Sequence, residues 1–156
     1  MDTAPEITNL KAGPAIAIRA QVAFSELPAF FSGAFHELAE CGADKAAGPP
    51  FAIYHSFDPP RLDVEAAMPL RSEVPVHGRV HAIDLAGGPA VQIRHVGPYE
   101  DLGTAYTSLD RWITDHHYVR AAAIREVYVT PPGGPPTELV TLLVQPLDQP
   151  DVRAST

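Results

Sequence analysis

Apolar residues recur along this chain with two different periods. In the windows 27–41 and 102–113 they return every three or four residues. The first window carries Leu27, Phe30, Phe31, Ala34, Leu38 and Cys41, and the second carries Leu102, Ala105, Tyr106, Leu109, Trp112 and Ile113. That spacing places each set on one stripe of a helix. Elsewhere the pattern is of short runs, rich in β-branched and aromatic residues and bounded by Pro, Gly and Asp. Residues 7–10, 15–19, 51–57, 62–68 and 124–130 read in this way as strands. Lys11-Ala12-Gly13-Pro14 reads as a turn that closes the first two strands into a hairpin, and Asp58-Pro59-Pro60 as a second turn. Ser25, just ahead of Glu26-Leu27-Pro28, predicts the start of the first helix with Ser25 as its N-cap, and Gly42 predicts its end.

The pattern then repeats. The segment Ala82-Ile83-Asp84-Leu85-Ala86-Gly87-Gly88-Pro89-Ala90-Val91-Gln92-Ile93-Arg94 lies without a gap over the segment from Ile7 to Arg19, 75 residues earlier. The same offset carries Tyr106 onto Phe31 and Ile113 onto Leu38, and Tyr128 falls on Tyr54 with a shift of 74. The chain therefore reads as a duplicated β-β-α-β-β unit. Residues 1–150 form one domain with halves 1–72 and 73–150, and residues 151–156 form a polar tail. The fold class expected is α+β, with an antiparallel sheet, both helices on one face and a ligand cleft between them. The copies differ at telling places: Glu126 aligns with Ala52, and Trp112 with Glu37. Such asymmetry points to a single off-centre site. Phe31 and Tyr106 are matched aromatics in both copies and read as core.

Within Ile124-Arg125-Glu126-Val127-Tyr128, strand alternation puts Glu126 and Tyr128 on one face and Arg125 and Val127 on the other. If that first face turns inward, a carboxylate sits mid-strand beside a phenol, and an unpartnered buried carboxylate is costly. Glu126 then either waits for a cationic or hydrogen-bonding ligand, or faces solvent, or pairs with Arg125 or Arg94. The strand alone leaves these open.

Charge and composition narrow the partners. Nineteen acids stand against 11 bases, for a net charge of −8, with no Lys/Arg cluster. This argues against nucleic-acid binding and favours cationic partners. The one cysteine, Cys41, excludes an internal disulfide and fits a reducing cytoplasm. No apolar run reaches membrane-spanning length, and the first residues carry no signal-peptide pattern. Among seven histidines, His116 and His117 are adjacent and suit the end of the second helix, while His77 and His81 stand roughly 13 Å apart if they lie on one strand. Neither CxxC nor HExxH occurs, and no metal or cofactor is expected. No G-x-S-x-G or serine–histidine pattern suggests covalent catalysis. His95 is a candidate for the edge of a pocket, and Trp112 suits core and pocket equally.

The blocks His95-Val96-Gly97-Pro98-Tyr99-Glu100-Asp101-Leu102, Trp112-Ile113, Arg125-Glu126-Val127-Tyr128, Glu138-Leu139-Val140-Thr141 and Gln145-Pro146-Leu147 resemble the GyrI-like small-molecule-binding domain. This domain is also the effector-binding module of AraC- and MerR-type multidrug regulators, with an internal duplication of the SHS2 type. The resemblance covers nearly the whole chain. It implies an aromatic pocket between two helices and a strand glutamate that contacts lipophilic cations. The matching glutamate is Glu126, and the matching ligand-binding aromatics are Tyr99, Trp112 and Tyr128, with Tyr54 from the first half. Leu142 stands where the family often has a further glutamate, which leaves this pocket less acidic. The chain looks like a stand-alone form without a DNA-reading helix-turn-helix. The reading is of a binder of lipophilic, cationic or aromatic small molecules. Two alternatives come with the resemblance. One is a hydrolase of reactive, cyclopropane-type toxic molecules, with Glu126 as general base and Tyr128 as its phenol partner. The other is a protein-interaction module such as a gyrase modulator.

Overall fold

The computed structural model describes residues 1–130 and 134–148. The expected tail at 151–156 lies outside them. The chain divides into two compact units. One is formed by Lys11–Gly87. The other is formed by Met1–Leu10 together with the chain from Gly88 onward.

In the Lys11–Gly87 unit, β2 (Gly13–Val22), α1 (Leu27–Gly42), β3 (Phe51–Ser56), β4 (Leu62–Pro69) and β5 (His81–Leu85) follow in sequence, β1 being the strand that precedes this unit. All strand pairs are antiparallel, in the order β3-β4-β2-β5. The helix buries Phe30, Ala34 and Leu38 of the stripe its spacing predicts, together with Gly42, while Leu27, Phe31 and Cys41 of that stripe are half-buried. Its start differs from expectation. A single 3-10 turn, Phe24–Glu26, precedes α1, so Ser25 lies inside that turn instead of capping the helix. The Glu26 carboxylate takes over the capping role by accepting the Ala23 backbone N–H at 2.7 Å.

In the second unit, β1 (Glu6–Leu10), β6 (Gly88–Val96), α2 (Leu102–Asp115), β7 (Val119–Arg120), β8 (Ile124–Tyr128) and β9 (Val140–Asp148) are ordered β1-β6-β9-β8, with β7 also on β9. All pairs are again antiparallel. The core of this unit is one cluster of Val91, Ile93, Leu102, Ala105, Leu109, Ile113, Leu143 and Leu147. The helical stripe of α2 thus packs on the face that β6 and β9 present through alternate residues. The fold class is α+β, as the two periods predict.

The first two strands do not form the expected hairpin. β1 pairs with β6, and β2 pairs with β4 and β5. A two-residue hairpin requires positive φ in its loop. Lys11 and Ala12 are ill suited to it, and His117 is the one non-glycine residue with positive φ among the described residues. Each unit therefore takes its edge strand from the opposite sequence half. The registers of the two exchanges match under the offset of the repeat: Leu10 stands opposite Gly88, and Leu85 opposite Gly13. The sequence halves 1–72 and 73–150 accordingly do not coincide with the compact units.

Candidate functional site

The pairing of β8 with β9 places Glu126 opposite Leu143 and Tyr128 opposite Thr141. Leu143 belongs to the core cluster under α2, so Glu126 and Tyr128 share the helix-bearing face. Alternation turns Arg125 to the other face, and Arg94, which stands opposite Leu142, faces that way too. Glu126 is 8% exposed. Its carboxylate is held by phenols. The Tyr128 hydroxyl donates to Oε1 at 2.9 Å, and the Tyr106 hydroxyl, coming down from α2, donates to Oε2. Hydrogen bonds to a charged acceptor are stronger than neutral ones, and two of them offset much of the cost of burying the charge.

Tyr99 completes the group. It occupies a single 3-10 turn, Tyr99–Asp101, ahead of α2. Its ring meets that of Tyr128 edge-on, with centroids 5.9 Å apart at 78°. Burial raises the Tyr99 phenol above its ordinary pKa, and the negative Glu126 raises it further, so Tyr99 stays neutral at physiological pH. Gly97, with φ of 141°, supplies the backbone conformation that starts this turn.

His95 holds the turn in place. It is 1% exposed, so it lies deep instead of at a pocket edge. Its Nε2 faces the Pro98 carbonyl at 3.0 Å and its Nδ1 faces Asp2 Oδ1 at 2.5 Å. The other Asp2 oxygen accepts the Thr104 hydroxyl at 2.9 Å, which ties the first residues to β6, to the Tyr99 turn and to α2. Burial pushes the Asp2 carboxyl up, but the hydrogen bonds from His95 and Thr104 and nearby positive charge outweigh it, leaving the pKa below its ordinary 3.8. A carboxyl depressed by folding adds stability above its unfolded pKa and loses it as pH falls through the folded one. Asp2→Asn is therefore expected to lower the melting temperature at neutral pH, with the gap to wild type closing as pH falls below about 3.8. Thermal melts of both proteins across that range check this. A gap that stays constant into acid shows that the Asp2 charge contributes nothing.

The other sequence-derived candidates make contacts of their own. Trp112 is half-buried against the core cluster and stacks with His116 (4.1 Å, 18°) and Tyr118 (5.3 Å, 11°), at the far end of α2 from Tyr99. Tyr54 lies in the Lys11–Gly87 unit within an aromatic ladder. There it meets Phe31 edge-on at 6.4 Å and stacks on Phe57 at 5.0 Å. His116 serves the helix end as expected, its Nδ1 2.8 Å from the Trp112 carbonyl. Among the described residues no group of three His, Cys, Asp or Glu is arranged to hold a metal. A cavity of about 200 Å3 lies in the Lys11–Gly87 unit, lined by Ile16, Leu70, Val74 and Ile83 with Glu73 and Asp84. None of the Glu126 group lines it.

Sequence reasoning missed Tyr106, which it assigned to the core because Phe31 matches it. The signal was present: of that aligned pair, the hydroxyl sits in the copy that carries Glu126 in place of Ala52.

The chain belongs to the family of the GyrI-like small molecule binding domain, whose model matches residues 3–148. The C-terminal domain of EcmrR has a similar fold, with a TM-score of 0.81 at 20% identity over 93% of this chain and 97% of that one. Against EcmrR in its complex with DNA, the chain spans 57% of that protein's length, with a TM-score of 0.80 at 20% identity over 93% of this chain. A hydrolase from Listeria innocua matches at 0.70 and 15% identity, over 93% of this chain and 92% of that one. SAV2435 bound to tetraphenylphosphonium matches at 0.65 and 12% identity, over 94% of each. No curated protein matches the sequence significantly. No helix among the described residues is long and apolar enough to cross a membrane.

Proposed function

We propose that this GyrI-like domain binds lipophilic organic cations, with Glu126 as the charge partner and the tyrosines as the apolar wall. The observation that carries this reading is the Glu126 carboxylate, 8% exposed and bonded by two phenol hydroxyls. A cation near this carboxylate gains charge pairing in a poorly hydrated setting and quadrupole attraction from aromatic faces. The likeness to SAV2435, which is bound to the lipophilic cation tetraphenylphosphonium, supports the same ligand class. The net charge of −8 also favours the approach of cations. The single cysteine suits a cytoplasmic setting.

The test is calorimetric titration with benzyltrimethylammonium and with neopentylbenzene, its neutral isostere. The expected result is binding of the cation and much weaker binding of the hydrocarbon. Equal binding of the pair removes the charge role of Glu126.

A hydrolytic reading shares the site and draws on the similar hydrolase from Listeria innocua. Glu126 then orients a water as general base and a tyrosine assists. Product formation over multiple turnovers, followed by mass spectrometry and lost in Glu126→Gln, selects this reading over binding alone.

A further inference from the structure

One polar atom beside this site has no partner. Thr141 is fully buried, and its Oγ1 is the single buried side-chain nitrogen or oxygen atom without a hydrogen-bond partner among the described residues. It stands on β9 directly opposite Tyr128 of β8 on one side and His95 of β6 on the other. It therefore shares the face of Glu126 and is that residue's diagonal cross-strand neighbour, at a spacing of roughly 7–8 Å. Neither ring beside it takes up the hydroxyl. Both His95 nitrogens are spent on Asp2 and Pro98, and the Tyr128 hydroxyl donates to Glu126. A buried polar side chain two pairs further along the same face behaves differently: Gln145 donates to the Ala122 and Pro146 carbonyls. The fold thus satisfies the polar groups of this face where they serve structure.

Valine has nearly the shape of threonine and would sit here without an orphaned donor, so the hydroxyl weakens the empty protein. We propose that Thr141 is the second polar anchor of the Glu126 site and donates to an oxygen atom of the bound molecule. This rests on the cation-binding reading and narrows its ligand class to organic cations that carry an ether, carbonyl or hydroxyl oxygen several ångströms from the charge. The carboxylate takes the cationic end and Thr141 takes the acceptor. Tyr128 of β8 stands directly opposite the hydroxyl and turns aside to admit the oxygen. Tyr99, whose ring packs edge-on against Tyr128, is 45% exposed.

The test titrates the whole chain with benzyltrimethylammonium and its 3-methoxy and 4-methoxy derivatives, in wild type, Thr141→Val and Glu126→Gln. Wild type is expected to prefer the better methoxy derivative by about five- to tenfold, the worth of one buried hydrogen bond. Thr141→Val should erase that preference and leave benzyltrimethylammonium unchanged. Glu126→Gln should weaken all three and keep the preference. If wild type binds all three equally, or if Thr141→Val retains the preference, the role of Thr141 falls while cation binding stands. If wild type binds none of them, the cation-binding reading falls and takes this inference with it. Without ligand, Thr141→Val should melt at or above wild type. A lower melting temperature shows that the hydroxyl is already spent within the empty fold and overturns the inference.

Discussion

Glu126→Gln is expected to weaken the binding of a lipophilic cation by about one to two decades while leaving a neutral analogue nearly unaffected. The substitution keeps the size and branching of the side chain and removes the charge. A hydrogen bond or close contact to a charged group in a partly buried site contributes roughly 1.5–3 kcal/mol, which converts to that loss. The fold should tolerate the change. The amide still accepts from one tyrosine and can donate to the oxygen of the other. Removing a buried charge also removes its desolvation cost. Titration of wild type and Glu126→Gln with benzyltrimethylammonium and neopentylbenzene, together with their melting temperatures, checks both halves. Unchanged affinity for both ligands shows that Glu126 is not the charge partner. A large fall in melting temperature with no change in cation selectivity shows that the carboxylate serves the fold alone.

Leu143→Ala should be the most damaging of the conservative core truncations. Leu143 is completely buried, opposite Ile93 on one neighbouring strand and Glu126 on the other, and it belongs to the cluster that α2 covers. Its removal leaves a cavity that helix and sheet close only in part. Such truncations cost about 2–5 kcal/mol. For a chain of this length that lowers the melting temperature by roughly 4–20 °C. Leu142, the next residue, is half-buried and points to the opposite face, so Leu142→Ala serves as the control with a smaller loss. Thermal melts of the two variants decide it. Equal losses show that the packing under α2 is not what holds this unit together. Because Leu143 stands beside Glu126, the same variant is expected to loosen the floor on which the tyrosines converge.

Local pattern was enough for a good part of this protein. The 3.6-residue period set the two helices and their buried stripes. The two-residue period put Glu126 and Tyr128 on one face, and the structure joins them by a hydrogen bond. The blocks around Tyr99 and Glu126 were enough to indicate the family. Periodicity of this kind is a property of a few consecutive residues, so the sequence carries it openly.

What the sequence could not carry depends on partners far along the chain. β1 and β2 are neighbours in sequence, yet each pairs with strands of a different compact unit. Loop chemistry at Lys11 and Ala12 disfavours a hairpin but does not say which strand is met instead. Tyr106 looked like core because its stripe position and its match to Phe31 describe where its ring points, while the partner of its hydroxyl is set by where β8 lies under α2. His95 looked like a pocket edge, and only the approach of Asp2 and Pro98 from either side shows it to be a buried tie. Thr141 is an ordinary strand residue until its surroundings show an unspent donor. The sequence by itself determined which residues face inward, because that follows from backbone geometry. The tertiary structure decided what those inward groups touch, because hydrogen bonding acts over about 3 Å between residues that only the whole fold brings together.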